Sequence, residues 1–475
     1  MRRHHLSFFT SLLLTTFFIK AQGLPPEVTA ELTRASIKSE AIAVWVAEAE
    51  QPTRIRLDHR GNAPMNPASV MKLVTTYAAL DILGPTFQWQ TKIYLNGAIR
   101  DRTLKGNLII VGQGDPSLVT ERLWLLLKKV RDMGVDNVSG DITIDNSAFA
   151  DVAKDPSQFD GEPFRPYNTS PEAFLVNFKS LVLTFLPMPD GTARVLPNPI
   201  LSGVVLPHTV PLSYGPCFDY RAKLKADFSN PNVLRLNGTF PLSCGERTWS
   251  IAYPEPRTFS QRAVLGMWES LGGSLSGKVL IQPFKPTPGL GSFTYNSPPL
   301  PEVIRNINKF SNNVMAQQLF LTLPHHLNRT PSTVTFNQAQ KTINEWWSNR
   351  ISPHGQPRVD NGSGLSRDAR ISAKALGEML GVAYHSPHMS ELMSSLPILG
   401  IDGTLKKFSP HSKGSAHLKS GSLRGVQALA GYVTAKSGRR YIFVAIVNDE
   451  RAAQGQMTLN ALLSWTINDG RAPEN

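Results

Sequence analysis

The chain has only two cysteines among 475 residues, Cys217 and Cys244, and neither belongs to a C-x-x-C. That excludes a small disulfide-stapled scaffold and a thioredoxin-like redox site. Beyond residue 19 no apolar run reaches the roughly 20 residues that a membrane-spanning helix needs, which excludes a multi-span membrane protein. Neither an internal repeat nor a low-complexity tract occurs, so a stacked-repeat architecture is ruled out. Charged residues make up only 18% against 41% hydrophobic. That balance excludes a disordered or coiled-coil chain and describes a folded one. No basic helix, zinc-ligand spacing or aromatic RNA-binding signature is present either, and no nucleic acid is expected as a partner.

What is present begins with an export signal. Met1-Arg-Arg-His-His5 is basic, Leu6–Ile19 is apolar apart from Ser and Thr, and small residues follow at Ala21 and Gly23. This is the pattern of a signal peptide over residues 1–23, cleaved after Ala21 or Gly23, with an uncleaved anchor as the alternative. The mature chain is therefore expected to be periplasmic or otherwise extracytoplasmic. In such an oxidising space Cys217 and Cys244 either close a disulfide loop or stay as two structural thiols. Lysine plus arginine exceed aspartate plus glutamate by 49 − 36 = 13. For an exported chain that excess favours loose association with anionic wall polymer or a membrane surface, the plain alternative being a basic exterior with no dedicated partner.

The length predicts a large catalytic core with one or two smaller units. Strands are expected at 41–46 and 53–57, joined as a hairpin. A helix follows from Pro67 to Leu83, where Val70, Leu73, Val74, Tyr77 and Leu80 recur at helical spacing before Gly84-Pro85 ends it. From about 89 to 284 the texture changes to short strands, such as 107–111 and 141–144, separated by Gly, Asp, Asn and Pro. This stretch is expected as inserted, smaller β-rich domains, the second nested at about 190–255. Helical texture returns at 301–323. Three late strands, 417–420, 426–433 and 441–447, complete the pattern, with a turn at 435–439. Two early and three late strands predict one antiparallel five-stranded sheet packed with helices, an α+β catalytic domain split between 24–88 and 285–475.

Ser69-Val-Met-Lys72 opens the 67–83 helix, and a spacing of three sets both side chains on one face, a turn apart. A serine hydroxyl is a weak nucleophile until a neighbour takes its proton. A lysine does so when burial and a second cation hold it neutral. The helix N-terminus adds N–H groups for an oxyanion. So short a pattern also recurs by chance, and its company decides. Ser311-Asn-Asn313 interrupts the 301–323 stretch with three polar residues. Either they cap a second helix, or Ser311 relays a proton to a leaving amine while Asn313 holds a substrate amide and orients Lys72. Lys419-Ser-Gly421, followed by Ser422, lies on the first late strand. There Lys419 offers charge to a terminal carboxylate and keeps Lys72 neutral, Gly421 admits the substrate backbone, and the Ser422 N–H completes an oxyanion hole with that of Ser69. A Lys-Ser-Gly surface turn is the plain alternative.

The order S-x-x-K, S-x-N, K-[ST]-G is the motif set of penicillin-binding proteins and class A β-lactamases. It comes here with Asn66-Pro-Ala-Ser-Val-Met-Lys72, Gly112-Gln-Gly-Asp-Pro116, Ser297-Pro-Pro-Leu300, Asp360-Asn-Gly-Ser-Gly-Leu-Ser-Arg367, Leu396-Pro-Ile-Leu-Gly-Ile-Asp-Gly-Thr404 and Lys419-Ser-Gly-Ser-Leu423. Over most of its mature length the chain resembles the D-alanyl-D-alanine carboxypeptidase/endopeptidase family of low-molecular-mass penicillin-binding proteins, class C type. More than two hundred residues separate Lys72 from Ser311, an insertion that this family carries and class A β-lactamases lack.

The resemblance implies a penicillin-binding/β-lactamase-like transpeptidase domain with helices on both faces of its sheet. It implies removal of terminal D-alanine from peptidoglycan stem pentapeptides, or cleavage of D-alanyl cross-links, through an acyl-Ser69 intermediate. Catalytic roles fall to Ser69, Lys72, Ser311 and Asn313, and substrate binding to Lys419, Ser420, Gly421 and Ser422. β-Lactam antibiotics are the implied inhibitors, and no metal or organic cofactor is implied. A β-lactamase with fast deacylation and a non-catalytic wall-binding protein of the same fold are the rival readings. Ser420 stands where many relatives have threonine. Asp360–Arg367 lacks P-loop spacing and is expected as a core loop near the site with no chemistry of its own.

Overall fold

The computed structural model describes residues 23–326, 333–408 and 412–470. Residues 1–22 of the expected signal peptide lie outside the described residues. Among the described residues, no helix is long and apolar enough to cross a membrane.

Helix α1 (Pro26–Arg34) leads into the hairpin of β1 (Ile42–Glu48) and β2 (Ile55–His59). A 3-10 turn at Ala68–Met71 then hands over to α2 (Lys72–Leu83). The single helix expected over 67–83 is therefore 3-10 in its first turn. The cause is local, since Ala68 is held at φ 47°, a left-handed conformation that costs a residue with a side chain. The Asn66 side chain stabilises it by accepting the Ala68 N–H at 2.9 Å.

Two further sheets follow. Strands β3 (Gln90–Arg100), β4 (Thr103–Val111) and β5 (Ile142–Asp145) belong to a mixed seven-stranded sheet, with helix α3 (Thr120–Asp132) between the last two in sequence. Strands β6 (Ser180–Pro187), β7 (Thr192–Asn198), β8 (Thr209–Ser213) and β9 (Arg247–Ala252) build a second sheet, completed by Phe240–Pro241. Helix α4 (Phe259–Ser270), β10 (Val279–Ile281) and β11 (Gly291–Asn296) return the chain to the first of these sheets. Apolar residues of both sheets form one continuous buried cluster.

Two boundaries differ from the sequence expectation. The second sheet starts at Ser180, not 190, because β6 pairs with both β7 and β9; Pro187–Gly191 is the β6–β7 hairpin and not a boundary. The insertion closes at Asn296, not 284, because β11 pairs with β3 from Gly291↔Leu95 to Asn296↔Gln90. Cys217 and Cys244 are bonded to each other.

The helical stretch expected over 301–323, interrupted at Ser311-Asn-Asn313, is helix α5 (Leu300–Phe310) followed by helix α6 (Asn313–Thr322). Ser311, at φ 56°, stops α5, and Asn312 caps α6 by accepting the Met315 N–H at 3.0 Å. Beyond α7 (Ala373–Tyr384) come β12 (Ala416–Leu423), β13 (Val426–Thr434), β14 (Arg440–Asn448) and α8 (Gln456–Ile467). These strands complete the antiparallel five-stranded sheet in the order β12-β13-β14-β1-β2. Alternate residues of β14 enter different cores. Ile442, Val444 and Ile446 meet residues of α2 and α7, while Tyr441, Phe443, Ala445 and Val447 meet residues of α1 and α8. Helices thus cover both faces, which is why β14 reads as one unbroken apolar run.

Candidate active site

The Asn66–Lys72 turn is fastened at both ends. Asn66 exchanges hydrogen bonds with Asn448 at the end of β14, its N–H donating to Asn448 Oδ1 at 2.7 Å and its carbonyl accepting from Asn448 Nδ2 at 2.9 Å. Its own Nδ2 donates to the Ser366 carbonyl at 2.9 Å. On this anchored turn Lys72 Nζ lies 3.0 Å from Ser69 Oγ. Lys72 is fully buried, and its other contacts are the Asn313 Oδ1 and the Ser363 carbonyl, both at 2.6 Å. Burial first, and the nearby charge of Lys419 second, hold its pKa well below that of a free lysine. A neutral amine has two N–H donors and one lone pair. With Asn313 Oδ1 and the Ser363 carbonyl taking both donors, the lone pair faces the Ser69 hydroxyl.

Lys419 is equally buried. Its Nζ donates to Ser311 Oγ at 2.9 Å and to the Ser420 carbonyl at 2.6 Å, and burial pushes its pKa down to about 7. The left-handed Ser311 between α5 and α6 aims its hydroxyl at this amine, while Asn313, in the first turn of α6, reaches Lys72. Within Ser311-Asn-Asn313, Asn312 caps a second helix and its neighbours on either side face the two lysines.

Backbone groups along β12 alternate in direction. The Ser415 carbonyl points inward to the Thr434 N–H at 2.8 Å, and the Leu418 N–H points outward to the Pro397 carbonyl at 3.0 Å. By the same alternation Ser420 and Ser422 turn their N–H groups to the outer edge. Residues 397–399 cover that edge as far as Leu418 and then leave it, so it opens beside Ser69. Gly421 was expected to admit a substrate backbone, but what its missing side chain accommodates is the nucleophile turn: a Cβ there would stand 2.6 Å from the Pro67 carbonyl. This contact presses β12 against the Ser69 turn.

Ser69 opens into a cleft of about 690 Å³. Phe159, Asp160, Pro166 and Tyr167 from the inserted region form one wall, with Arg367 and Leu423 among the others. Arg367 stacks its guanidinium over the Phe159 ring at 4.7 Å, and Asp160 accepts the Tyr167 hydroxyl at 2.9 Å. Sequence reasoning missed this wall, as no motif marks it. It also gave the 360–367 loop no chemistry, although the Ser363 carbonyl holds Lys72. The signal was in its glycines: Gly364, at φ 76°, lies so close to the nucleophile turn that a Cβ would stand 1.9 Å from the Ala68 carbonyl.

A serine and a buried lysine one turn apart, beside a lysine-bearing edge strand of a sheet covered on both faces, define the class: serine hydrolases of the penicillin-binding fold. The chain belongs to the D-Ala-D-Ala carboxypeptidase 3 (S13) family, whose model matches residues 25–468. It is 26% identical over 416 residues to D-alanyl-D-alanine carboxypeptidase DacB of Haemophilus influenzae, covering 85% of each chain. It is 27% identical over 421 residues to a D-alanyl-D-alanine carboxypeptidase of an Actinomadura species, covering 82% of this chain and 74% of that one. Penicillin binding protein 4 of Haemophilus influenzae shares the fold with a TM-score of 0.72 at 23% identity, over 93% of this chain and 99% of that one, and is also known in complex with a β-lactam. By family the chain is a serine-type hydrolase of the D-Ala-D-Ala carboxypeptidase kind, as the motif order implied.

Proposed function

We propose that the protein removes terminal D-alanine from peptidoglycan stem peptides, cleaves D-alanyl cross-links, or both, through an acyl group on Ser69. The observation that carries this reading is Lys72 itself, fully buried 3.0 Å from Ser69 Oγ with a hydroxyl, an amide oxygen and a carbonyl as its contacts. Lys72 takes the hydroxyl proton as Ser69 Oγ attacks the penultimate carbonyl carbon. The resulting oxyanion is held by the N–H groups of Ser69 and Ser422. The terminal carboxylate docks on Lys419 and the Ser420 hydroxyl. As the C–N bond breaks, the proton returns through Ser311 to the leaving amine, and water activated by Lys72 then hydrolyses the ester. A penicillin presents a carboxylate and a strained amide in the same places and acylates Ser69 by the same route. The inserted wall of the cleft sets which stem peptides enter. This chemistry and the leader pattern support a site of action outside the cytoplasm.

The test is an intact-mass time course of the mature protein with benzylpenicillin, beside Ser69→Ala. A long-lived adduct on wild type alone is expected. A transient adduct with rapid drug loss makes the protein a β-lactamase, and no adduct on folded wild type removes the acyl-serine mechanism.

A further inference from the structure

We propose that Thr404 is a positioning residue that aims the Ser420 hydroxyl at the substrate carboxylate, an assignment resting on the reading of Lys419 and Ser420 as the carboxylate site. Thr404 Oγ1 lies 2.6 Å from Ser420 Oγ. Serine has three staggered χ1 wells and no β-methyl to select among them. Its hydroxyl keeps one direction only if a neighbour holds it. Either hydroxyl can donate in this bond; once a carboxylate arrives to accept the Ser420 O–H, Thr404 becomes the donor and fixes the Ser420 oxygen.

Thr404 is itself held in place by a braced loop. Asp402 Oδ1 accepts the Ile398 N–H at 2.7 Å, and Asp402 Oδ2 accepts Lys309 Nζ at 2.5 Å. Gly403, at φ 55°, packs so tightly on the end of α5 that a Cβ would stand 2.6 Å from the Lys309 carbonyl. The beginning of the same loop is bonded to β12, with the Leu399 N–H donating to the Ala416 carbonyl at 2.9 Å. The loop therefore ties the helix that delivers Ser311 to the strand that delivers Lys419 and Ser420. Thr404 stands where it meets that strand's open end.

The experiment compares wild type, Thr404→Val and the double variant Thr404→Val/Ser420→Thr in steady-state turnover of a peptide ending in D-Ala-D-Ala. Valine keeps the branched shape and removes the hydroxyl. Thr404→Val is expected to raise KM about five- to tenfold with kcat changed less than about twofold, as for a weakened substrate hydrogen bond. Adding Ser420→Thr is expected to return KM to within about twofold of wild type, because the β-branch restricts the χ1 that Thr404 no longer fixes. An unchanged KM in Thr404→Val overturns the proposal. So does a double variant no better than the single one, which would mark Thr404 as a prop for the loop. Wild type that fails to turn over the peptide breaks the site assignment itself, whereas normal wild-type turnover with an indifferent Thr404→Val breaks this proposal alone.

Discussion

Among the described residues four lysines are at most 4% exposed, and they differ by region. In the inserted region Lys179 meets the Glu172 carboxylate at 2.8 Å, and at the end of α5 Lys309 meets that of Asp402 at 2.5 Å. In the cleft, Lys72 and Lys419 meet only hydroxyl, amide and carbonyl oxygens. A buried ammonium beside a carboxylate clamps two segments together. The same group facing neutral oxygens is costly to keep charged and tends to shed its proton. Equal burial thus leaves lysine paired with a carboxylate in one setting and facing neutral oxygens in the other, where the proposed base and anion receptor stand.

Exchanging the two kinds of lysine gives the largest expected contrast. Lys72→Met should slow penicillin acylation of Ser69 at least about a thousandfold, since the hydroxyl loses its base. Its unfolding midpoint should move less than that of Lys179→Met. The latter strands the Glu172 carboxylate, which is 15% exposed, and should cost about 3 kcal/mol while leaving acylation per folded molecule nearly unchanged. Acylation rates and thermal unfolding measured on the same preparations decide it. Slow acylation in Lys179→Met together with normal acylation in Lys72→Met would erase the distinction.

The second contrast is within the cleft and is read by pH. Lys419, depressed to about 7, is charged below that value and loses its charge above it. For a peptide with a free carboxylate, kcat/KM should therefore fall as pH rises through about 7. A C-terminally amidated analogue, with no carboxylate to hold, should lack that alkaline limb. Stability moves the other way. The unfolded lysine titrates near its usual 10.5, so between about 7 and 10.5 the unfolded state binds more protons and this group's contribution to stability rises with pH. Lys72, lowered well below the ordinary value, governs the acid limb instead. Identical alkaline limbs for the two peptides would remove Lys419 from carboxylate binding.

These contrasts also explain what could be read in advance. The five-stranded sheet was legible because β1, β13 and β14 are apolar runs bounded by turn residues, and periodicity reports burial directly. The motif order brought out Ser69, Lys72 and Lys419 for a different reason: the nucleophile, base and anion receptor proposed for them each require a particular functional group. The Ser363 carbonyl and the outward N–H groups of β12 were not legible, because backbone groups leave no residue signature. Gly421 was noticed but its contact with the Ser69 turn was not, since a missing Cβ reveals close approach without revealing by what. The wall at Phe159–Tyr167 was hidden because its position depends on how the inserted sheets pack, a long-range property that local pattern does not encode. The start of the second sheet, at Ser180, was missed because the Pro-rich hairpin at 187–191 resembles a linker, and the close at Asn296 was missed because the pairing of β11 with β3 is a long-range property.

The smallest contrast separates two adjacent asparagines. Asn312 accepts the Met315 N–H at 3.0 Å, satisfying a donor that the helix start leaves free, and Asn313 accepts from Lys72 at 2.6 Å. Sequence alone offers capping and catalysis as rivals for this segment, because Ser and Asn suit both. The geometry gives the capping bond to Asn312 and the contact with Lys72 to Asn313. Asn312→Ala should cost about 1 kcal/mol of stability, and Asn312→Ser should recover most of it, since serine caps nearly as well. Both should acylate with benzylpenicillin within about threefold of wild type, because the capping bond does not touch the reacting atoms. If Asn312→Ala instead slows acylation with no change in the unfolding midpoint, the cap is itself part of the machinery that aims Asn313 at Lys72, and the separation of scaffold from chemistry fails at its closest point.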